Sequence, residues 1–139
     1  MSFVHLHTHS HYSLLDGLTK IRDLVKEAVR FEMPALALTD HGNLYGAIEF
    51  YKEARDAGIK PIIGVEAYVA SNSLRDKNPG IDDKRYHLIL LALDEEGYHN
   101  LIELVTTSHL EGFYYKPRVD KELLARHSKG ILALSGCLG

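Results

Sequence analysis

The sequence predicts an α/β fold made of parallel β/α units, and three observations support this prediction. Short apolar segments of strand length alternate with amphipathic segments of helical length, an order typical of parallel sheets with right-handed crossover helices. Residues of metal-binding type stand at the ends of the predicted strands, where such folds collect their functional groups. The 139 residues, 45% of them apolar, suffice for one globular domain with a buried core.

The first two predicted elements are a strand and an amphipathic helix. Residues 3–8 form a short strand rich in apolar side chains and histidine. Thr19 suits the N-cap position of a helix that fades near Met33. The apolar residues of this helix recur at helical spacing: Ile21, Leu24, Val25 and Ala28.

The middle of the chain continues the alternation. Residues 35–39 are nearly all apolar, as expected for a strand covered on both faces. A helix follows over residues 44–57, and Gly58 is placed to end it in the left-handed conformation. Residues 61–69 form the third strand, and the polar residues 72–84 form a loop.

The last third of the chain holds four more predicted elements. Residues 86–93 form the fourth strand, and residues 95–109 form the third helix. A short helix over residues 120–126 precedes the fifth strand at residues 130–134.

The first strand carries a pattern suited to metal binding. His7 and His9 are two residues apart, so their side chains face the same side of a strand and can converge on one ion. Asp16 follows seven residues after His9, and zinc accepts histidine nitrogen and carboxylate oxygen together. His5 and His11 share the same parity, but a satisfied hydrogen bond explains each of them more simply.

The remaining candidates each stand near an end of, or on, a later predicted strand: Asp40, His41, Glu66, His87 and Cys137. Glu66 lies within an apolar strand, where a carboxylate is costly unless it is paired or bound to a cation. Asp40 is better explained as a helix cap, or as support for a neighbouring ligand, than as a ligand itself. Cys137 taken alone would be an inert small hydrophobic residue.

Charge and composition restrict the class of protein. The net charge of −3 differs from that of a free-standing nucleic-acid binder; if DNA is the substrate, other domains or bound cations must supply most of the phosphate attraction. No signal peptide or membrane-spanning run is present, and one cysteine excludes an internal disulfide. The cytoplasm is therefore the expected location. Arg118 is a weak candidate for contact with a substrate phosphate, because an ordinary surface loop explains it better.

Several motifs resemble a known family. The metal-type motifs resemble those of the polymerase and histidinol phosphatase (PHP) domain: His7-Thr8-His9, Thr39-Asp40-His41-Gly42, Gly64-Val65-Glu66, His87 and Ser135-Gly136-Cys137. Other segments are similar to the N-terminal region of bacterial replicative DNA polymerase III α subunits: Tyr12-Ser13-Leu14-Leu15-Asp16-Gly17, His41-Gly42-Asn43-Leu44-Tyr45-Gly46, Gly97-Tyr98-His99-Asn100-Leu101 and Glu111-Gly112-Phe113-Tyr114-Tyr115-Lys116-Pro117-Arg118. The resemblance extends over essentially the whole chain.

The resemblance implies a distorted, TIM-like β/α barrel that binds up to three divalent metals, zinc or manganese. In such a domain His7 and His9 bind one ion, and Glu66 bridges to a second ion held by His87 and Cys137. Asp16 and His41 serve a third ion. The implied catalytic groups are Asp16, His41 and Glu66, which act through a metal-bound hydroxide.

The implied activity is phosphoester hydrolysis, in this polymerase family a 3′→5′ proofreading exonuclease. Nucleotidyl transfer belongs to polymerase domains that this chain lacks. The implied partners are primer–template DNA, the other α-subunit domains, a separate proofreading subunit and the sliding clamp. Two alternatives remain: a stand-alone phosphatase of the histidinol-phosphatase type, and a non-catalytic module that stabilises the polymerase and docks a separate exonuclease.

Length is the main departure from the family. Its domain continues beyond residue 139 and ends with an Asp-x-His pair that this chain lacks. Residues 1–139 are therefore expected to form the N-terminal part of one PHP domain, truncated before the barrel closes, and to be inactive in isolation.

Overall fold

The computed structural model describes residues 3–136, so Cys137 lies outside the described part of the chain. Helices and strands alternate through most of it. In chain order they are α1 (Ile21–Arg30), β1 (Ala35–Leu38), α2 (Ala47–Asp56), β2 (Lys60–Ala70), β3 (Arg85–Ala92), α3 (Glu95–Leu110), β4 (Arg118–Val119), α4 (Lys121–Arg126) and β5 (Ile131–Ser135). The predicted α/β class is confirmed. Helix α2 ends as predicted, with Gly58 in the left-handed region at a φ of +74°.

The strands form one mixed sheet rather than a parallel one. Its order is β1-β2-β3-β5, and β4 pairs with β2. Strands β1 and β4 run parallel to β2, whereas β3 runs antiparallel to both β2 and β5. The prediction of parallel neighbours fails at β3 because a loop connects β2 to β3, and a parallel pair requires a longer crossover, usually a helix. The beginning of β3 therefore lies beside the end of β2.

The N-terminal segment corrects two further predictions. Residues 3–8 do not form a regular strand, although the segment contacts β1 through backbone hydrogen bonds from Ala37 to His5 and from Thr39 to Thr8, both 2.9 Å. Helix α1 begins at Ile21 with Lys20 rather than Thr19 at the N-cap, and Lys20 supplies no capping side chain.

The two larger of three apolar clusters among the described residues join helices to the sheet. The first joins α1 and α2 to β1 and centres on Ile21, Val25, Leu36 and Phe50. The second joins α3 and α4 to β2 and β3 and centres on Val65, Leu90, Leu101, Leu104 and Leu123. Each fully buried aliphatic side chain contributes about 1.5–3 kcal/mol, so these clusters fix the sheet that carries the site. No helix among residues 3–136 has the length and apolar character needed to cross a bilayer.

Arg118 is a structural anchor, which corrects its prediction as a phosphate contact. Its side chain is fully buried, and its guanidinium donates hydrogen bonds to the carbonyl oxygens of Gly112, Asp82, Leu74 and Asp76 at 2.8–3.0 Å. All three nitrogens of the guanidinium are thus engaged by backbone, and a substrate phosphate cannot reach them. Arg118 instead holds the 71–84 loop against the end of α3.

Asp82 provides a test of pH dependence in the same loop. Its buried carboxylate accepts hydrogen bonds from the Asn72 side chain at 3.1 Å, from the Asn78 backbone N–H at 2.9 Å and from the Asn78 side chain at 2.7 Å. The bond from Asn72 is the largest of the effects that lower the pKa of Asp82, followed by the Asn78 backbone. Because the folded state favours the ionised form, its stabilising effect is complete above the unfolded pKa of about 3.9 and is lost as pH falls through the folded value.

We therefore expect Asp82→Asn to melt below the unsubstituted protein at pH 7, with the difference shrinking as pH falls below about 4. Melting temperatures recorded from pH 7 to pH 3 check this expectation. A constant difference across that range would contradict it.

Candidate metal centre

One buried carboxylate, that of Glu66 on β2, meets four imidazoles. Its Oε2 atom lies 2.7 Å from His7 Nε2, 2.9 Å from His9 Nε2 and 3.4 Å from His41 Nδ1. Its Oε1 atom lies 2.6 Å from Nδ1 of His87. The two oxygens thus face different histidines, as a carboxylate that bridges two ions requires.

The spacing of the donor atoms suits divalent metals. The Nε2 atoms of His7 and His9 are 3.0 Å apart, and one donor atom from each of His7, His9 and Glu66 lies within 4.8 Å of the others. Donors about 2.1 Å from a shared ion are themselves about 3.0 Å apart at right angles and about 3.4 Å apart in a tetrahedron. His41 Nδ1 is buried without a hydrogen-bond partner, an unusual state for a ring nitrogen. A metal ion would satisfy this atom, so the residues fit a divalent metal ion.

The backbone of β2 fixes His41 beside Glu66. The Glu66 N–H donates to the Asp40 carbonyl at 3.1 Å, and the Gly42 N–H donates to the Glu66 carbonyl at 2.9 Å. The two residues thereby form an isolated parallel bridge beyond the end of β1. The orientation of the His41 ring follows from this pairing rather than from a flexible loop.

Asp16 contacts Nε2 of His41, the ring nitrogen on the side away from Glu66. Its Oδ2 atom lies 2.7 Å from Nε2 of His41, and its side chain is 60% exposed. Partial burial acts to raise the pKa of Asp16, but the hydrogen bond from His41 and the charges of His41 and His9 act against it, and the net result is a lowered pKa. The carboxylate is therefore ionised at neutral pH, at the solvent-facing side of the centre.

Asp40 organises the site without joining it. It accepts hydrogen bonds from the Ser10 N–H at 2.6 Å, the Ser10 hydroxyl at 2.8 Å and the Ser13 hydroxyl at 2.7 Å. Ser13 has given its only proton to Asp40, so its oxygen must accept from its two other neighbours. These are the His41 N–H and His9 Nδ1, both at 3.1 Å.

This network sets the tautomer of His9. Because Nδ1 of His9 carries the proton that Ser13 accepts, Nε2 is left with its lone pair directed towards His7 and Glu66. Burial, followed by the charge of His41, lowers the pKa of His9. A neutral imidazole with Nε2 free is the form that binds a metal.

We expect Ser13→Ala to weaken metal binding about tenfold, because the His9 tautomer and the His41 backbone lose their shared acceptor. Calorimetric titration with Zn²⁺ of protein from which a chelator has removed the metal measures this change in the dissociation constant. Ser128→Ala is the matched control, since Ser128 lies on the surface and its hydroxyl donates to the Ala125 carbonyl, away from the metal centre. Equal affinity in the two variants would show that Ser13 does not position the ligands.

The structure brings together most of the predicted site residues: His7, His9, Asp16, His41, Glu66 and His87, with Asp40 directly behind them. Arg118 lies apart from them, and Cys137 is outside the described residues. His109, near the end of α3, bonds the Gly42 carbonyl through Nε2 at 2.8 Å.

Sequence reasoning also missed Ser10, Ser13 and Tyr68. The two serines precede Asp16 in the same motif, and both are fully buried, but hydroxyl residues in a loop carry no signal of burial. The Tyr68 ring lies 5.1 Å from the His87 ring and 5.9 Å from the His41 ring, between centroids. Its place on β2, two residues after Glu66, was the available signal, because i and i+2 side chains share a face.

Comparison with known proteins places this geometry in context. The PHP domain family matches residues 5–139. Three relatives are each described as a DNA polymerase III subunit alpha. The Borreliella burgdorferi protein is 56% identical over 138 residues, the Thermus aquaticus protein 54% over 143, and the Aquifex aeolicus protein 49% over 142. These alignments cover 98–100% of this chain but only 12% of each relative, so the chain spans about an eighth of their length.

Solved structures share the fold over much of the chain. A Bifidobacterium adolescentis protein described as a metal-dependent phosphoesterase aligns with a TM-score of 0.54 at 19% identity. An amidohydrolase from Chromobacterium violaceum, solved with bound sulfate and without metal, aligns with a TM-score of 0.53 at 26% identity. Each alignment covers 76% of this chain and 32% of the other protein.

Proposed function

This chain belongs to the PHP domain family, and from that premise we propose that the cluster around Glu66 is a multinuclear metal site that hydrolyses phosphodiesters. We infer further that residues 1–139 are the N-terminal part of such a domain at the start of a DNA polymerase III α subunit. The observation that carries the proposal is the single buried carboxylate of Glu66, whose two oxygens face separate histidines.

The donor atoms suggest how the ions are shared. His7 and His9 would hold one ion with Glu66, and Glu66 would reach a second ion beside His87 and Cys137. His41 and Asp16 would serve a third, with up to three ions in the complete domain. Imidazole and carboxylate ligands suit both zinc and manganese. Since each structural neighbour is about three times as long as the aligned part, later residues would close the barrel and add ligands.

The metals, when bound, supply an activated water and neutralise charge on the phosphate. The protein groups do the rest. Ser13, held by Asp40, accepts from Nδ1 of His9 and so leaves Nε2 of His9 free, and it also fixes the backbone of His41. Asp16, ionised and 60% exposed, lies where the substrate enters and is placed to take up a proton released during the attack on phosphorus. The backbone bridge between Glu66 and His41 keeps these groups in place.

The substrate that we propose is the 3′ end of a DNA primer, with removal of misincorporated nucleotides as the activity. Identities of 49–56% to polymerase III α subunits over the whole of this chain support this choice over a stand-alone phosphatase. In that setting the partners would be primer–template DNA, the remaining polymerase domains, the sliding clamp and a separate proofreading subunit. Replication would place the protein in the cytoplasm.

The test uses the intact polymerase that carries this chain, with nucleotide triphosphates withheld so that synthesis cannot occur. A 5′-labelled primer with a mismatched 3′ nucleotide is added with Mn²⁺ or Zn²⁺. We expect the primer to shorten from its 3′ end and chelation to stop the shortening. A primer that stays intact with metal loaded would overturn the exonuclease proposal.

Asp16→Asn distinguishes catalysis from a scaffold role. Because Asp16 is largely exposed, we expect the variant to lose hydrolysis by about a hundredfold while its melting temperature is unchanged. Unchanged hydrolysis with a lowered melting temperature would favour the non-catalytic module. Cleavage of histidinol phosphate but not of primer ends would favour the phosphatase.

A further inference from the structure

We propose that Lys116 and Arg85 form a phosphate-binding pair beside the metal centre, and that Tyr115 next to them stacks on a base of a single-stranded DNA 3′ end. The inference rests on the proposed function and deepens it, since it names the residues that would bring a frayed primer end to the metals.

Both cations lie on the ring that borders the metal centre. The Lys116 Nζ atom and the Arg85 Cζ atom are each 5.7 Å from the centroid of the Tyr68 ring. The same ring contacts the imidazoles of His41 and His87. Only the Tyr68 ring therefore separates the two positive groups from the candidate ligands His41 and His87. At that position they could contact the phosphate next to the one that would be cleaved.

Neither cation is neutralised within residues 3–136. The Arg85 guanidinium donates to the Asp83 carbonyl at 2.9 Å, and neither Arg85 nor Lys116 forms an ion pair with a described carboxylate. Ion pairs of lysine or arginine within the described residues form at Arg30, Arg75 and Lys129, so most cations are unpaired, and what distinguishes Arg85 and Lys116 is their place beside the metal centre. Unpaired cations beside a carboxylate–histidine cluster are expected to contact substrate phosphates.

Tight packing fixes the position of Lys116. Gly42, which follows the ligand His41, has a φ of +62°, and a Cβ atom there would lie 2.7 Å from Pro117 and 3.2 Å from Tyr68. The residue after Lys116 is thus pressed against the turn that carries His41. Lys116 is held at the rim of the centre rather than on a free loop.

An exposed aromatic rim lies around the same turn. Tyr115 is 68% exposed, Tyr45 is 65% exposed and Phe113 is 50% exposed. The His109 ring, bonded to the Gly42 carbonyl, lies 6.5 Å from the Tyr45 ring and 6.4 Å from the Phe113 ring. Aromatic side chains interleaved with cations are the usual platform for single-stranded nucleic acid, because every base has a face to stack.

Backbone strain supports a binding role for this rim. Tyr115 has a φ of +59° and Leu15, beside Asp16, has a φ of +86°. A left-handed conformation is unfavourable for a bulky residue. The Leu15 side chain is fully exposed, and the Tyr115 side chain is 68% exposed, with its ring 4.6 Å from the Tyr114 ring between centroids. Strain of this kind collects at ligand-binding sites.

The first experiment measures binding without hydrolysis. The intact polymerase, treated with chelator, is titrated into a fluorescent single-stranded oligonucleotide, and anisotropy is followed from 50 to 200 mM salt. We expect the double variant Lys116→Gln/Arg85→Gln to bind on the order of tenfold more weakly at low salt, with the salt slope reduced by about 1.4 for two lost phosphate contacts. Lys60→Gln/Arg55→Gln is the control and should bind normally, because Lys60 begins β2 and Arg55 lies in the last turn of α2, away from the end of β2 that borders the metal centre.

Tyr115→Asn tests the stacking contact separately. Asparagine tolerates the left-handed backbone, so the ring is removed while the conformation is kept. We expect binding to weaken about fivefold or more with the salt slope unchanged. Normal binding by Tyr115→Asn would remove the base-stacking part of the proposal.

Lysine acetylation of the unsubstituted protein avoids any effect of substitution on folding. We expect bound oligonucleotide to protect Lys116, and not Lys60, from the reagent, as read by mass spectrometry. Equal modification of Lys116 with and without DNA, or normal binding by the double variant, would overturn the proposal.

Hydrolysis of a small phosphodiester that lacks bases, by the metal-loaded unsubstituted protein, separates this inference from the proposed function. Hydrolysis together with an unaffected double variant would refute the binding pair alone. Oligonucleotide binding through Lys116 without any hydrolysis would refute the proposed function alone.

Discussion

Replacing Glu66 with glutamine is expected to remove most metal binding and to lower phosphodiester hydrolysis by at least about a hundredfold. Glutamine keeps the size of the side chain but loses the negative charge that faces four histidines. The amide also has one oxygen in place of two, so it cannot bridge separate ions. Elemental analysis of the purified variant and the primer-shortening assay measure the two effects.

Stability provides a second readout of the same change. A metal that is present at about a hundred times its dissociation constant stabilises the folded protein by about 2.7 kcal/mol, and the variant should not gain this increment. Glu96→Gln is the matched control, because Glu96 lies on the surface of α3 and pairs only with Lys129. Full metal content in Glu66→Gln would show that the histidines bind without the carboxylate and would refute the bridging role.

Replacing Arg118 with methionine is expected to destabilise the fold by about 3–5 kcal/mol. The long apolar side chain of methionine fills much of the space but donates nothing to the four carbonyl oxygens that Arg118 now satisfies. Unpaired buried carbonyls are costly, so the 71–84 loop should loosen from α3. Thermal unfolding followed by circular dichroism should show a melting temperature lower by about 10–20 °C.

Arg75→Met is the comparison for this variant. Arg75 lies in the same loop, is 72% exposed and forms a surface ion pair with Glu111, so its loss should cost less than about 1 kcal/mol. If Arg118→Met melted like Arg75→Met but bound oligonucleotide more weakly, Arg118 would be a substrate contact after all.

The alternation of elements was predictable because each helix has an apolar stripe and each longer strand an apolar run, whereas the two-residue strand β4 has neither. The direction of β3 was not, since apolar content does not encode strand direction. The length and polarity of the 71–84 loop were the available signal, because a loop without a helix favours an antiparallel pair. The antiparallel direction also explains His87, which lies near the start of β3 and yet pairs with Tyr68 near the end of β2.

The metal-binding residues of the site were predictable from the sequence, but the residues that position them were not. His7, His9, His41 and Glu66 carry chemistry that few other roles explain. Ser13 becomes visible only through its hydrogen bonds to Asp40 and His9, which depend on tertiary contacts. Arg118 illustrates the opposite error, because a cation in a polar segment is read as a surface residue unless its backbone partners are known.

The short contact between the N-terminal segment and β1 has a consequence for assembly. His7 and His9 reside on a segment that contacts β1 through backbone hydrogen bonds from Ala37 and Thr39 and forms no regular strand. Glu66 and His87, by contrast, are joined by an antiparallel pair of strands. An ion bound both by the N-terminal segment and by the sheet would hold the start of the chain against the sheet. Part of its binding free energy would be offset by the cost of ordering that segment. Metal loading would then be the final step of folding, and chelation would release the N-terminal segment first.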